Sequence, residues 1–190
     1  MNPTVAMNDH DLMGRIKRMC GDSIDAAIAG TPYPAAFLAA LTANESGGDM
    51  AAQRFEASVF GQLAQVLTKR KPNFGAITPQ MLLDRINAEG DHVGAFVSIM
   101  DLATSYGPTQ IMGYQALAGG FDLAELDQIG AHYRHAVNML DDFARRFELA
   151  TDAGMALFFH CWNAGSPTGR TFDPKYTSNG LSRMAIYQTL

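Results

Sequence analysis

Apolar residues recur three and four positions apart along almost the whole chain, in segments of about ten to twenty residues punctuated by glycine and proline. That period belongs to helices, so the pattern predicts a mainly α protein with little or no β structure. Asp11–Ala29 carries Leu12, Ile16, Met19, Ile24 and Ala27 on one face, with Gly30 as a stop. Pro34–Ser46 follows, with Phe37, Leu38 and Leu41, and ends at Gly47-Gly48. Further helices are predicted over 55–69, from Pro79 behind a Thr78 N-cap, and over 94–102, 122–130, 132–147, 151–162 and 181–190. Strand signals are weak, and Gln53–Phe55 is the one short extended candidate.

Composition narrows the class. Of the 190 residues 47% are hydrophobic and 17% charged, enough to bury a core and unlike a disordered chain. A net charge of −5 argues against a nucleic-acid partner, which calls for a basic face. No apolar run approaches the roughly 18 residues of a membrane span. The first residues, Met1-Asn2-Pro3-Thr4-Val5, lack the basic and apolar regions of a secretory signal. Cys20 and Cys161 do not make a disulfide framework; they read as two buried thiols, with pairing left as the alternative. The five histidines, His10, His92, His132, His135 and His160, form no recognisable metal set, although His132 and His135 are three apart. No phosphate loop and no nucleophile elbow appear, and nothing calls for a cofactor.

Three segments carry candidate chemistry. In Asn44-Glu45-Ser46-Gly47-Gly48 a carboxylate stands at the C-terminal end of an apolar helix. Apolar neighbours and the negative end of the helix dipole both favour its protonated form, which a general acid needs. The alternative is an ordinary surface glutamate before a turn. In Tyr106-Gly107-Pro108-Thr109-Gln110-Ile111-Met112-Gly113 an amide, a phenol and a thioether offer sugar contacts. The alternative is a connector in which glycine supplies permissive backbone angles. In Cys161-Trp162-Asn163-Ala164-Gly165 an aromatic sits beside an amide at a turn, with a core tryptophan as the alternative.

The order of these segments resembles the lysozyme-like superfamily of goose-type lysozymes, lytic transglycosylases and bacterial and phage N-acetylmuramidases. Members carry Glu-Ser at a helix end, then a Gln-Ile-Met-Gly-type segment, then Tyr-Asn-Ala-Gly. Here these are Glu45-Ser46, Gln110-Ile111-Met112-Gly113 and Trp162-Asn163-Ala164-Gly165. The phage-type muramidases are the most similar, because Glu45-Ser46-Gly47-Gly48 is followed by Phe55-Glu56 and Gln110 lies 65 positions beyond Glu45. The tail Lys175-Tyr176 to Ala185-Ile186-Tyr187 resembles the family's last helix, and three departures stand out: Pro108-Thr109 in place of Leu-Met or Leu-Phe, Trp162 in place of tyrosine, and an unusual loop before that tail.

The resemblance implies one lysozyme-like catalytic domain over 1–190 with a substrate cleft, residues 1–30 being a helical extension. It implies cleavage of the bond between N-acetylmuramic acid and N-acetylglucosamine, with Glu45 as acid and Glu56 as second carboxylate. Ser46, Tyr106, Gln110, Met112, Trp162, Asn163 and Tyr187 would contact the glycan. Three alternatives stay open: a lytic transglycosylase, which needs no second carboxylate; a module that binds glycan or a partner without cutting; and a plain helical structural protein in which the three segments match by chance. Peptidoglycan would be the partner, without nucleic acid or membrane insertion. Such a protein, made in the cytoplasm, would reach the wall after release or secretion, through a holin or a secretion system.

Overall fold

A computed structural model describes residues 8–89, 92–151 and 154–190. In chain order these form α1 (Asp9–Ile28), α2 (Ala35–Ser46), β1 (Gln53–Phe55), α3 (Ala57–Leu67), α4 (Pro79–Glu89), α5 (His92–Leu102), β2 (Thr104–Tyr106), β3 (Ile111–Met112) and α6 (Gly113–Gly119). A 3-10 turn (Leu123–Asp127) precedes α7 (Ile129–Phe147), α8 (Ala156–Ala164) and α9 (Tyr176–Thr189). The fold is mainly α with one small antiparallel sheet in the order β1-β2-β3. Contacts divide the chain into two compact units, residues 1–50 with 129–190 and residues 51–128.

The first unit is built around α2. Every residue from Ala36 to Ala43 is buried, as expected of a helix apolar on all sides. Pro34 takes the extended N-cap conformation, so the helix starts one residue later than the sequence predicts. Against α2 lie α1 and α9; α1 also packs on α7, and α8 packs on α9. The α1 stripe of Leu12, Met13, Ile16, Cys20 and Ile24 faces inward. Its start is set by Asn8, whose Oδ1 accepts from the Asp11 N–H at 2.9 Å, while Asp9 and Asp11 suit the positive end of the dipole. Phe37 meets Phe159 at 4.5 Å between ring centroids and Phe158 at 6.4 Å.

The start of α9 corrects the reading from helical period alone. The helix begins at Tyr176, five residues before the Leu181 which that period predicts and at the start of the Lys175-to-Tyr187 tail that the resemblance singles out. Ser178-Asn179-Gly180 reads as a turn, but Gly180 is where α9 closes on α8. A Cβ there would stand 2.5 Å from the Phe159 ring, so the glycine serves close packing. The predicted helix over 151–162 is likewise displaced, to Ala156–Ala164; Asp152 and Ala153 of that segment lie outside the described residues.

The second unit packs α3, α4 and α5 around Leu63, Val66, Ile77, Leu82, Ile99 and Leu102. The Thr78 hydroxyl accepts from the Met81 N–H at 3.3 Å and Pro79 opens α4, as the sequence predicts. Gln53–Phe55 is a strand, paired to β2 in the register Gln53↔Tyr106, Arg54↔Ser105 and Phe55↔Thr104. The predicted helix over 55–69 therefore begins at Ala57. Phe55 belongs to the strand, and Glu56 is the extended N-cap whose N–H donates to Ala103 O at 2.8 Å. The predicted helix over 122–130 is the 3-10 turn, capped by Asp122.

Candidate functional site

The end of α2 is a tightly held turn. Ser46 Oγ donates to Thr42 O at 3.0 Å, and Gly47 follows in the left-handed region at φ 60°. Arg15 of α1 donates from Nη2 to Gly47 O at 2.7 Å, bringing a cation to the negative end of the helix. Gly48 is buried at φ 78°, and a Cβ there would meet Arg15, Ile16 and Leu12. Both glycines of the motif are thus structural requirements of the turn that follows Glu45.

Glu45 is half-buried, and its Oε1 accepts a short hydrogen bond from the Tyr176 hydroxyl. Tyr176 is 7% exposed. Burial, then the Glu45 charge and the hydrogen bond to it, hold its phenol far above the ordinary range, against the smaller opposing pull of Asn44. Tyr176 is therefore a permanent donor to Glu45.

Behind this pair a chain of polar groups joins three helices. Asn44 Nδ2 donates to Tyr176 O at 2.9 Å, and Asn44 Oδ1 accepts from Arg183 Nη1 at 2.7 Å. The other edge of the guanidinium, Nε and Nη2, donates to Asp9 Oδ1 at 3.0 and 2.9 Å. Asp9 opens α1, Asn44 precedes Glu45 on α2, and Tyr176 and Arg183 belong to α9. Sequence reading missed Tyr176, Asn44, Arg183 and Asp9. A signal existed: Tyr176, Gly180, Arg183 and Tyr187 recur at the four-three-four spacing of one helix face.

The other site residues of this unit lie on α8 and α9. Trp162 is half-buried, edge-on to Phe143 at 6.2 Å between centroids. Asn163 Oδ1 accepts from the Phe172 N–H at 3.0 Å, pinning the loop that presents a 99% exposed Phe172. Its Nδ2 has no partner among the described residues. Tyr187 is buried, its phenol raised to about 12 by burial and then by Asp25 and Cys20, with Lys17 Nζ 5.2 Å from its ring centroid. It sits on the Tyr176 stripe of α9 rather than beside the Glu45 turn.

In the second unit the candidate residues cluster on the sheet. Glu56 Oε1 is 2.6 Å from Nε of the exposed Arg54, in an ion pair whose carboxylate is half-buried. Tyr106 donates from its hydroxyl to Asp101 O at 3.2 Å, and burial first, then Asp101, push it up to about 12. Gln110 occupies the left-handed region at φ 55°. Its Nε2 donates to Gly107 O at 2.9 Å and Ala52 O at 3.1 Å, and its Oε1 accepts from Ser105 Oγ at 2.6 Å. Both amide hydrogens are engaged, so the side chain builds the β2–β3 turn. Met112 caps α6 and is half-buried, with its N–H donating to Gln115 Oε1 at 2.8 Å. Gly113 is required there, because a Cβ would stand 2.2 Å from Asp101 O.

Both cysteines are free and buried, with thiols raised chiefly by burial. Cys20 donates to Ile16 O at 3.1 Å, and the Tyr133 hydroxyl lies 3.3 Å from its sulfur. Among the described residues no group of three His, Cys, Asp or Glu is placed to hold a metal, and His132 is buried within α7. No helix among them is long and apolar enough to cross a membrane. In comparison with known proteins, no family model matches the chain, and neither does any curated protein or solved structure.

Proposed function

We propose that the chain is a peptidoglycan-cleaving glycosidase of the N-acetylmuramidase type, with a lysozyme-like fold and Glu45 as its general acid. The observation that carries the reading is the setting of Glu45: a half-buried carboxyl at the end of an apolar helix, one oxygen fixed by the buried Tyr176 phenol. A surface glutamate needs no such partner. A proton donor does need fixed geometry, because proton transfer requires hydrogen-bond reach to the bridging oxygen.

Glu45 would protonate the glycosidic oxygen while C1 of the muramic acid gains oxocarbenium character. In a hydrolase, water then adds to C1. Asn163, through its Nδ2, and Trp162 supply donor and aromatic surface for the sugar. Gln110 acts by shaping the turn that bears Tyr106 and Met112. Glu56 is the candidate second carboxylate.

The Arg54–Glu56 ion pair favours a second reading, the lytic transglycosylase. There the 6-hydroxyl of the muramic acid attacks C1 and no second carboxylate is needed. Purified peptidoglycan digested by wild type and by Glu45→Gln, with mass spectrometry of the fragments, tests both. Reducing muramic acid ends from wild type alone support the muramidase, and anhydro ends support the transglycosylase. No fragments from wild type would remove the enzymatic reading for this substrate.

A further inference from the structure

We propose that a pocket on the first half of α1 binds the carboxylate of a short peptide. The pocket measures about 350 Å³ and is lined by His10, Asp11, Gly14, Arg15, Arg18 and Leu190. Arg15 and Arg18 are three apart on one helix face, where like charges repel. An intrahelical acid would normally relieve them. Asp11 stands at the right spacing, four before Arg15, yet its Oδ2 accepts from Asn8 Nδ2 at 2.9 Å. Among the described residues it makes no ion pair with Arg15, and Arg18 has no polar partner there.

Arg15 is held in place from the far side. Its Nη2 is fixed on Gly47 O at 2.7 Å, and its Nε is buried without a partner. One guanidinium is thus anchored and the second is free, in a concavity with an imidazole on its rim. Guanidinium groups match the planar fork of a carboxylate. Gly14 carries no side chain between them, and Leu190 lines the pocket as an apolar neighbour for a small side chain next to the carboxylate. Two guanidiniums against the one Asp11 carboxylate leave these side chains cationic on balance, in a chain of net charge −5. Arg15 also ties the pocket to the turn that follows Glu45. The choice of a wall stem peptide as the natural ligand rests on the peptidoglycan reading; the carboxylate chemistry does not.

The test is NMR titration of the arginine Nε–Hε signals of the full chain with N-acetyl-D-alanyl-D-alanine and, separately, with acetate. The expected result is saturable shifts at Arg15 and Arg18 with the peptide and weaker binding of acetate. Arg18→Gln should weaken the peptide about tenfold with thermal unfolding unchanged. Acetate binding as tightly as the peptide would overturn the peptide ligand. No saturable shift with either probe, or unchanged affinity in Arg18→Gln, would overturn the site. Because binding is read without turnover, a wild type that fails to digest peptidoglycan leaves this inference standing. An active enzyme without these shifts removes it alone.

Discussion

Arg183 Nη1 lies 2.7 Å from Asn44 Oδ1, and that contact dictates the orientation of the amide. A guanidinium only donates and a backbone carbonyl only accepts, so Oδ1 must face Arg183 and Nδ2 must face Tyr176 O. Replacing Arg183, 18% exposed, by methionine should therefore cost about 2 kcal/mol, because Asn44 Oδ1 loses its partner while part-buried. Asp9→Asn, at the more exposed end, should cost less than about 1 kcal/mol. Urea unfolding of the two variants measures both. Equal costs would show that the ion pair, not the amide, is what Arg183 supports.

Tyr176→Phe removes one oxygen and leaves the ring against Phe159, 6.2 Å away between centroids. It should lower stability by about 1–2 kcal/mol, as a hydrogen bond to a charged group is lost, and, on the proposed glycosidase reading, reduce glycan cleavage roughly tenfold or more. Loss of the bond disfavours the ionised carboxylate. The basic limb of the pH–rate profile should then move to higher pH. An unshifted limb would mean that the phenol does not act on Glu45.

Gly180→Ala tests the closeness of α8 and α9. In an exposed helix the change would stabilise by roughly 1 kcal/mol. Here the new methyl meets the buried Phe159 ring, so a net loss of about 1–3 kcal/mol is expected and, on the proposed glycosidase reading, lower cleavage because α9 carries Tyr176. A variant at least as stable as wild type would show that the helices separate freely.

All six tyrosines, Tyr33, Tyr106, Tyr114, Tyr133, Tyr176 and Tyr187, are raised above the ordinary phenol value of 10.0, in each case chiefly by burial. The neutral phenol is thus favoured by folding, so this contribution is whole below pH 10 and is lost as pH rises through 12. Absorbance at about 295 nm should show little phenolate below pH 10. It should then rise together with the loss of helical circular dichroism. A phenol that ionises near pH 10 in the folded protein would contradict the burial.

Cys20 and Cys161 should resist a thiol reagent in the native protein at pH 8 and react at once in denaturant. The thiolate is the reactive species, and burial disfavours it at both positions. Rapid native labelling of either would place that thiol at the surface.

Much of the helical framework is legible from local chemistry. Pro79 behind Thr78, Gly47 after Ser46 and the Leu12–Ile24 stripe each state their element within a few residues. The start of α9 is not legible from the helical period, because Ser178-Asn179-Gly180 favours a turn locally and only Phe159, far away in the chain, explains the glycine. Gln53–Phe55 is too short to announce a strand without its partner, Thr104–Tyr106. At the site, Glu45 is visible as an acid out of place on an apolar helix. Tyr176 is not, since nothing in Asp173-Pro174-Lys175-Tyr176 marks a phenol that will be buried against a carboxylate. Gln110 shows the reverse: its amide suggests a ligand, and the fold uses it to hold a left-handed turn.

The contacts around Glu45 also fix when in the life of the molecule its setting exists. Glu45 and Tyr176 are 131 positions apart, and Asn44 and Arg183 are 139 apart. At translation rates of about 5–20 residues per second, the α2 segment waits on the order of ten seconds for α9 to be made. Over that interval Glu45 has neither its phenol nor its neighbouring amide in place. A nascent chain still on the ribosome therefore holds an acid whose environment has not yet been assembled.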